Sequence, residues 1–111
     1  MKTDNKQPIA YILLTFKFQK EGDQWVGICD ELGTSSFGND IVDAENQLAE
    51  AVDLHIHQLA EVGELQRFLK EHGIKATTIK PTGIVKVPVP LDNRTFIQSH
   101  VQPLIKEKVP A

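Results

Sequence analysis

The carboxylates of this sequence are the side chains most numerous and most closely spaced among those that could form a functional site. Eleven Asp and Glu residues lie between Lys20 and Arg67, and the stretch between these two cations contains no Lys or Arg. Clustered carboxylates can hold a divalent cation, act as general acids and bases, or face a basic macromolecule. Nucleic-acid binding needs basic side chains that neutralise phosphates, so this stretch favours a basic partner over a nucleic acid.

The histidines and the cysteine add no further site. His55 and His57 lie two residues apart on a predicted helix, which points them about 200° away from each other and prevents joint metal ligation. We expect His55 to be buried and hydrogen-bonded, and His57 to lie among the acids. Cys29 is the only cysteine, so we expect a buried, unreactive thiol in a cytoplasmic protein. The sequence predicts no catalytic residue, no metal site and no cofactor.

The first part of the chain predicts three strands that position these side chains. Residues 9–19 alternate so that one face is fully apolar. That face carries Ile12, Leu14, Phe16 and Phe18. After a turn, residues 24–30 resume a strand at hairpin spacing, and a short third strand, 34–37, ends at Gly38. We expect a small antiparallel sheet.

A long helix is predicted from residue 41 to about residue 62. Asp40 is placed to cap it, with Asp43 three residues on as in a capping box. Stepping about 100° per residue gives a core-facing stripe, made of Ile41, Ala44, Leu48, Ala51, Val52, Leu59 and Val62. The opposite side collects a carboxylate row with its polar and apolar neighbours: Asp43, Asn46, Glu50, Asp53, Leu54, His57 and Glu61. The predicted outer face of the helix is therefore acidic.

A shorter helix and further strands complete the predicted α+β fold, in which the long helix packs on one face of the sheet. The short helix covers residues 64–72 and stops at Gly73, a C-cap glycine. Residues 84–87 are strand-like, but the prolines that follow remove ladder donors, which predicts an edge strand or an exit from the sheet. Residues 95–101 alternate as one more strand. No segment is apolar enough over its length to span a membrane.

The sequence predicts one domain in which residues 1–74 are acidic and residues 75–111 are basic. Residues 1–74 carry six basic and thirteen acidic side chains, and residues 75–111 carry six basic and two acidic ones. We divide it into a flexible N-terminus, 1–8, a core, 9–74, and an extended or strand-like C-terminal segment, 75–111, suited to serve as a dimerisation arm.

The order of these elements and their motifs resembles the HicB family. The motifs are Asp30-Glu31-Leu32-Gly33, Ser36-Phe37-Gly38-Asn39-Asp40, Asp43-Ala44, Gly63-Glu64-Leu65, Phe68-Leu69 and Gly73-Ile74. The resemblance covers about residues 9–74 and implies a partial RNase H-like fold. It implies an antitoxin that binds a HicA-type ribonuclease toxin.

The resemblance and the charge pattern predict the same mechanism. A toxin that binds RNA must present a basic surface, which an acidic protein can attract and cover. We expect the partner-facing residues to be Asp30, Glu31, Asp43, Glu50, Asp53 and Glu61. We also expect a homodimer, formed through a sheet edge or the C-terminal strands, because exposed edges invite pairing.

Two other functions stay open on the sequence. One is a stand-alone HicB-like interaction or regulatory domain with no toxin partner. The other is a degenerate RNase H-like nuclease, which is disfavoured because the predicted first strand, 9–19, supplies no acid for Mg²⁺. The resemblance also implies a C-terminal DNA-binding module, but residues 75–111 show no helix-turn-helix or ribbon-helix-helix pattern, which leaves operator binding undecided.

Overall fold

The computed structural model describes residues 8–82, 89–90 and 92–105. Its elements, in chain order, are β1 Pro8–Glu21, β2 Gln24–Cys29, β3 Ser35–Gly38, α1 Ile41–Glu61, α2 Leu65–Glu71, β4 Val89–Pro90 and β5 Thr95–Ile105. The strands form one antiparallel sheet in the order β3-β2-β1-β5-β4. The predicted α+β class, with its long helix, short second helix and antiparallel sheet, is confirmed.

The core lies between α1 and one face of the sheet. The predicted apolar face of β1, which consists of Ile12, Leu14, Phe16 and Phe18, is buried. α1 packs against it through Ala44, Leu48, Val52 and Ile56, and Leu69 of α2 joins the same cluster. Burying a large apolar side chain stabilises the fold by about 1.5–3 kcal/mol, so these residues are the main reason the helix stays on the sheet.

The predicted core stripe of α1 is right at its centre and wrong at its end. Val62, which the helical phase places on the stripe, is 70% exposed. The reason is that α1 ends at Glu61 and Val62 is the C-cap, where the backbone leaves the helix. Ile56, absent from the predicted stripe, is buried, because it continues the four-residue steps from Leu48 and Val52.

Gly38 sets the distance between the end of β3 and the first turn of α1. A Cβ atom built on Gly38 would lie 2.2 Å from the backbone nitrogen of Ala44. No side chain fits there, because real Cβ atoms do not approach other heavy atoms so closely. The glycine at this position therefore allows the end of β3 to pack directly against the first turn of α1.

The C-terminal strand is longer than predicted. The strand expected at residues 95–101 is confirmed, and β5 continues to Ile105, paired with β1 along its length. Pro103 does not interrupt it. Pro103 pairs with Tyr11 of β1, and the backbone N–H and C=O of Tyr11 bond to Thr77 on the other side of β1. Tyr11 and Pro103 are therefore a pair without hydrogen bonds between them. The backbone nitrogen of Pro103 faces away from β1, so its missing N–H removes no bond between the two strands.

The remaining predictions concern the C-terminal half. Helix α2 is followed by Gly73 at a positive φ of 66°, and the N–H of Ile74 donates to the Leu69 carbonyl. This is the predicted glycine C-cap. The strand expected at residues 84–87 lies outside the described residues. Residues 95–105 belong to the same sheet as the core, so part of the predicted C-terminal segment, 75–111, is built into the domain.

Candidate functional site

The six predicted partner-binding acids occupy three places in the fold. Asp30 and Glu31 follow β2, Asp43 lies in the first turn of α1, and the other three lie further along α1. Those three are Glu50, Asp53 and Glu61. The contacts of each side chain decide how much of its charge is available to a partner.

Glu31 fastens the turn after β2 to the middle of β1. Its Oε1 accepts a hydrogen bond from the Thr15 backbone nitrogen at 2.8 Å, and its Oε2 accepts one from Thr15 Oγ1 at 2.9 Å. Both oxygens of this half-buried carboxylate are therefore used inside the chain. Asp30 is freer, since its Oδ2 lies 3.6 Å from Lys17 Nζ in a half-exposed ion pair.

Asp40 and Asp43 hold the start of α1 through two hydrogen bonds. The Asp43 backbone nitrogen donates to Asp40 Oδ1 at 2.7 Å, and the Asn39 backbone nitrogen donates to Asp43 Oδ2 at 2.9 Å. Half of the predicted capping box is therefore formed: Asp40 accepts from the Asp43 N–H, but the Asp43 carboxylate binds the N–H of Asn39, one residue before the N-cap, instead of that of Asp40. Asp43 thus holds the start of the helix, in addition to any role toward a partner.

A polar seam joins α1 to β5, and the sequence did not predict it. We define the polar seam as Glu45, Asp53 and His57 of α1 with Gln98, His100 and Gln102 of β5. Gln98 Nε2 donates to Glu45 Oε2 at 2.6 Å, and Gln102 Nε2 donates to Asp53 Oδ1 at 2.9 Å. Gln98 and Gln102 are both buried, so these acids satisfy amides that are out of reach of water.

The acids of the polar seam fix the direction of its hydrogen bonds. An ionised carboxylate only accepts, so Gln102 must turn its amide nitrogen toward Asp53 and its Oε1 the other way. His100 Nε2 lies 3.0 Å from that Oε1 and must therefore carry the proton. The His100 ring also stacks on Phe16, with centroids 4.3 Å apart, so it is held in place on two sides.

One buried atom of the polar seam has no hydrogen-bond partner in the part of the chain that the structure describes. Gln98 Oε1 is buried and accepts no hydrogen bond. Rotating the Gln98 amide by 180° would place its Oε1 against the Glu45 carboxylate, and two acceptors cannot form a hydrogen bond. The 2.6 Å contact with Glu45 therefore keeps Nε2 toward the carboxylate and Oε1 away from it. A sequence signal for the seam exists: Gln98, His100 and Gln102 alternate on β5 in phase with the apolar Phe96 and Leu104, which places all five on one face.

The predictions for the histidines of α1 are confirmed in part, since His55 has a side-chain partner but is half-buried and not buried. His55 Nδ1 lies 3.0 Å from Thr34 Oγ1, which ties the helix to the chain just before β3. His57 Nδ1 lies 2.8 Å from the Asp53 carbonyl oxygen and 3.6 Å from Asp53 Oδ2. His57 therefore shares the neighbourhood of an acid, as expected.

The outward stripe of α1 is less acidic than predicted. It consists of Gln47, Glu50, Leu54, Gln58 and Glu61, all exposed. Glu50 and Glu61 make no hydrogen bond or ion pair to another described residue. Asp53 turns one oxygen toward β5 and Asp43 turns inward to the cap, so two of the four predicted helix acids have wholly uncommitted carboxylates.

Cys29 has the properties of a structural cysteine. Its side chain is fully buried, and burial raises the pKa of the thiol from an ordinary 9.0 to about 11. The Glu31 carboxylate, whose Oε1 lies 3.7 Å from Sγ, adds to this rise because its negative charge disfavours a thiolate. Such a thiol is a poor nucleophile at neutral pH.

A pocket of about 410 Å³ lies beside the first half of β1. Its walls include Tyr11, Leu13, Glu31, His72 and Pro81. The acid in its wall is Glu31, whose two oxygens already bind Thr15. Among residues 8–82, 89–90 and 92–105, no group of three or more His, Cys, Asp and Glu side chains is arranged to hold a metal ion.

Comparisons with known proteins give no relative. No protein-family model matches the chain, and neither a search of curated proteins nor a search of solved structures gives a match. No helix in the described part of the chain is long and apolar enough to cross a membrane.

Proposed function

We propose that this chain is a HicB-like antitoxin-type binding protein that sequesters a small, basic, RNA-cleaving toxin of the HicA type. Two features support the proposal. The first is the β-β-β-α order. The second is the close approach of β3 to α1 at Gly38 together with the Asp40 cap, because both residues belong to a motif that resembles the HicB family. The observation that carries it is the exposed pair Glu50 and Glu61, in a stretch with no Lys or Arg.

The physical basis is electrostatic attraction followed by steric occlusion. A basic RNA-binding surface is drawn toward the acidic side of α1, and the bulk of the domain then blocks access of RNA to the toxin. Glu50 and Glu61 can approach a cation without giving up an intramolecular bond. Leu54, which lies between them and is exposed, adds apolar contact at the centre of the same stripe.

The other four predicted acids contribute differently to this proposed contact. Asp30 is paired with Lys17 on the face of the sheet opposite α1, so it adds to the long-range negative potential and lies outside the α1 contact. Glu31, Asp43 and Asp53 add to the negative potential, but their carboxylates also hold the fold. Substituting them tests folding and binding together, so they are unsuitable for a first test of binding.

The proposal extends to the cellular form of the protein. We place it in the cytoplasm, where a single reduced cysteine is ordinary, and as a homodimer. The described residues after Ile74 contribute strands β4 and β5 and no helix.

The test is to purify the tagged full chain from its native cells and to identify what accompanies it. The expected companion is a small basic protein that cleaves RNA when isolated and stops cleaving when the chain is added back in equal amount. Recovery of the chain without such a companion, or of one that still cleaves RNA, would contradict the proposal and favour a stand-alone interaction domain. Cleavage of RNA by the chain alone with Mg²⁺ would favour the nuclease alternative.

A further inference from the structure

The face of the sheet that points away from α1 carries an apolar belt. We define the apolar belt as Phe37, Val26, Ile28, Ile97 and Val89. Val26 pairs with Phe37, Lys17 pairs with both Ile28 and Ile97, and Ile97 pairs with Val89. Directly paired residues point to the same side of a sheet, so the belt has residues on β3, β2, β5 and β4, and Lys17 occupies the position between them on β1. The five strands together span about 19 Å.

The apolar belt is open to solvent. Phe37, Ile28 and Val89 are exposed, and Val26 and Ile97 are half-buried. The opposite face of the same strands carries the buried side chains that α1 covers. Exposed apolar side chains grouped on one sheet face commonly mark a contact with another protein.

The charges within the apolar belt identify the partner that fits it. Lys17 and Asp30 form an ion pair there, Nζ to Oδ2 at 3.6 Å, so the belt carries one cation and one anion. A two-fold axis through it can place Lys17 of each copy opposite Asp30 of the other, which makes the surface complementary to itself. A basic toxin gains no net attraction there, whereas Glu50 and Glu61 lie on α1, on the other side of the sheet.

We propose that the apolar belt is the contact between two copies of this chain, packed sheet against sheet about a two-fold axis. This inference rests on the homodimer part of the proposed function and names its surface. Of the two sheet edges, β3 has four residues, and β4 pairs only with Phe96 and Ile97 of β5, so pairing along the rest of β5 is the alternative contact that the variants below must exclude. Facing sheets pack about 10 Å apart, and this arrangement leaves α1 of both copies free for partners.

The test compares two exposed apolar residues on opposite sides of the domain. Phe37 in the apolar belt is 61% exposed and Leu54 on α1 is 60% exposed. The full chain, Phe37→Lys and Leu54→Lys are followed by sedimentation equilibrium over a range of concentrations, with circular dichroism as the folding control. We expect the full chain and Leu54→Lys to form dimers, and Phe37→Lys to raise the dimer dissociation constant at least about tenfold.

A charge exchange provides the second variant set. Lys17→Glu and Asp30→Lys singly place like charges across the two-fold axis and weaken the dimer, and the double exchange restores it. A monomeric full chain overturns both the belt and the homodimer. A dimer that Phe37→Lys leaves intact, or that the double exchange fails to restore, overturns the belt alone. No toxin is present in these experiments, so toxin inhibition is judged separately.

Discussion

Replacing Glu45 by Met tests whether the polar seam stabilises the fold. Met matches Glu in length and helix propensity, so the substitution removes the carboxylate without opening a path for water. Gln98 Nε2 then loses its acceptor at 2.6 Å. Since Gln98 is 3% exposed and its Oε1 already lacks a partner, both polar ends of the amide become unsatisfied.

The expected cost follows from the burial of that amide. Leaving a buried donor unsatisfied costs about 1–3 kcal/mol, and a loss of about 2 kcal/mol lowers the urea midpoint by roughly 1 M in a domain of this size. Glu50→Met is the matched control on the same helix, since Glu50 is exposed. We expect its free energy of unfolding to stay within about 0.5 kcal/mol of that of the unsubstituted chain.

A double substitution separates the hydrogen bond from other effects of Met. Replacing Gln98 by Leu in the Glu45→Met background removes the unsatisfied amide, so most of the lost stability should return. Urea unfolding followed by circular dichroism measures all four proteins of the cycle. The reasoning fails if Glu45→Met is as stable as Glu50→Met, or if Gln98→Leu adds a further loss instead of a recovery.

Two more predictions concern the junction of β3 with α1 and the buried thiol. Gly38→Ala should lower the free energy of unfolding by about 3 kcal/mol or more, because its Cβ would lie 2.2 Å from the Ala44 nitrogen. Thermal unfolding measures this loss of stability. A loss below about 1 kcal/mol would contradict the close approach of β3 to α1. Cys29 should react with a thiol-specific disulfide reagent at pH 8 at least about 100-fold more slowly in the folded chain than in urea, because a pKa of about 11 instead of 9.0 lowers the thiolate fraction by that factor. Equal rates in the two states would show an accessible thiol.

The local elements of this fold were predictable because each depends on neighbours in sequence. The alternation of β1, the Asp40 cap and the Gly73 stop are set by contacts within a few residues. The hairpin of β1 with β2 follows from one tight turn. The helical phase then identified the buried side of α1, except that it missed the buried Ile56 and included Val62, where the helix had already ended.

The candidate site was less predictable because it depends on which strand lies beside β1. Nothing local places β5 there, since it is separated from β1 by more than seventy residues. Once β5 takes that position, Gln98 hydrogen-bonds Glu45, and Gln102 hydrogen-bonds Asp53, which helical phase alone assigns to the outward acidic row. Helical phase identifies the side of a helix but not the partners that long side chains can reach.

Inhibition of the co-purified basic ribonuclease by Glu50→Lys/Glu61→Lys decides whether the toxin docks on α1. Both side chains are exposed and uncommitted within the described chain, so the protein should remain folded. The matched control is Glu21→Lys/Glu71→Lys, which changes the net charge equally at exposed positions outside α1. Titrating RNA cleavage at low salt should show at least about a tenfold weaker inhibition by the α1 variant and near-normal inhibition by the control. Equal inhibition by both variants would contradict an α1 docking face.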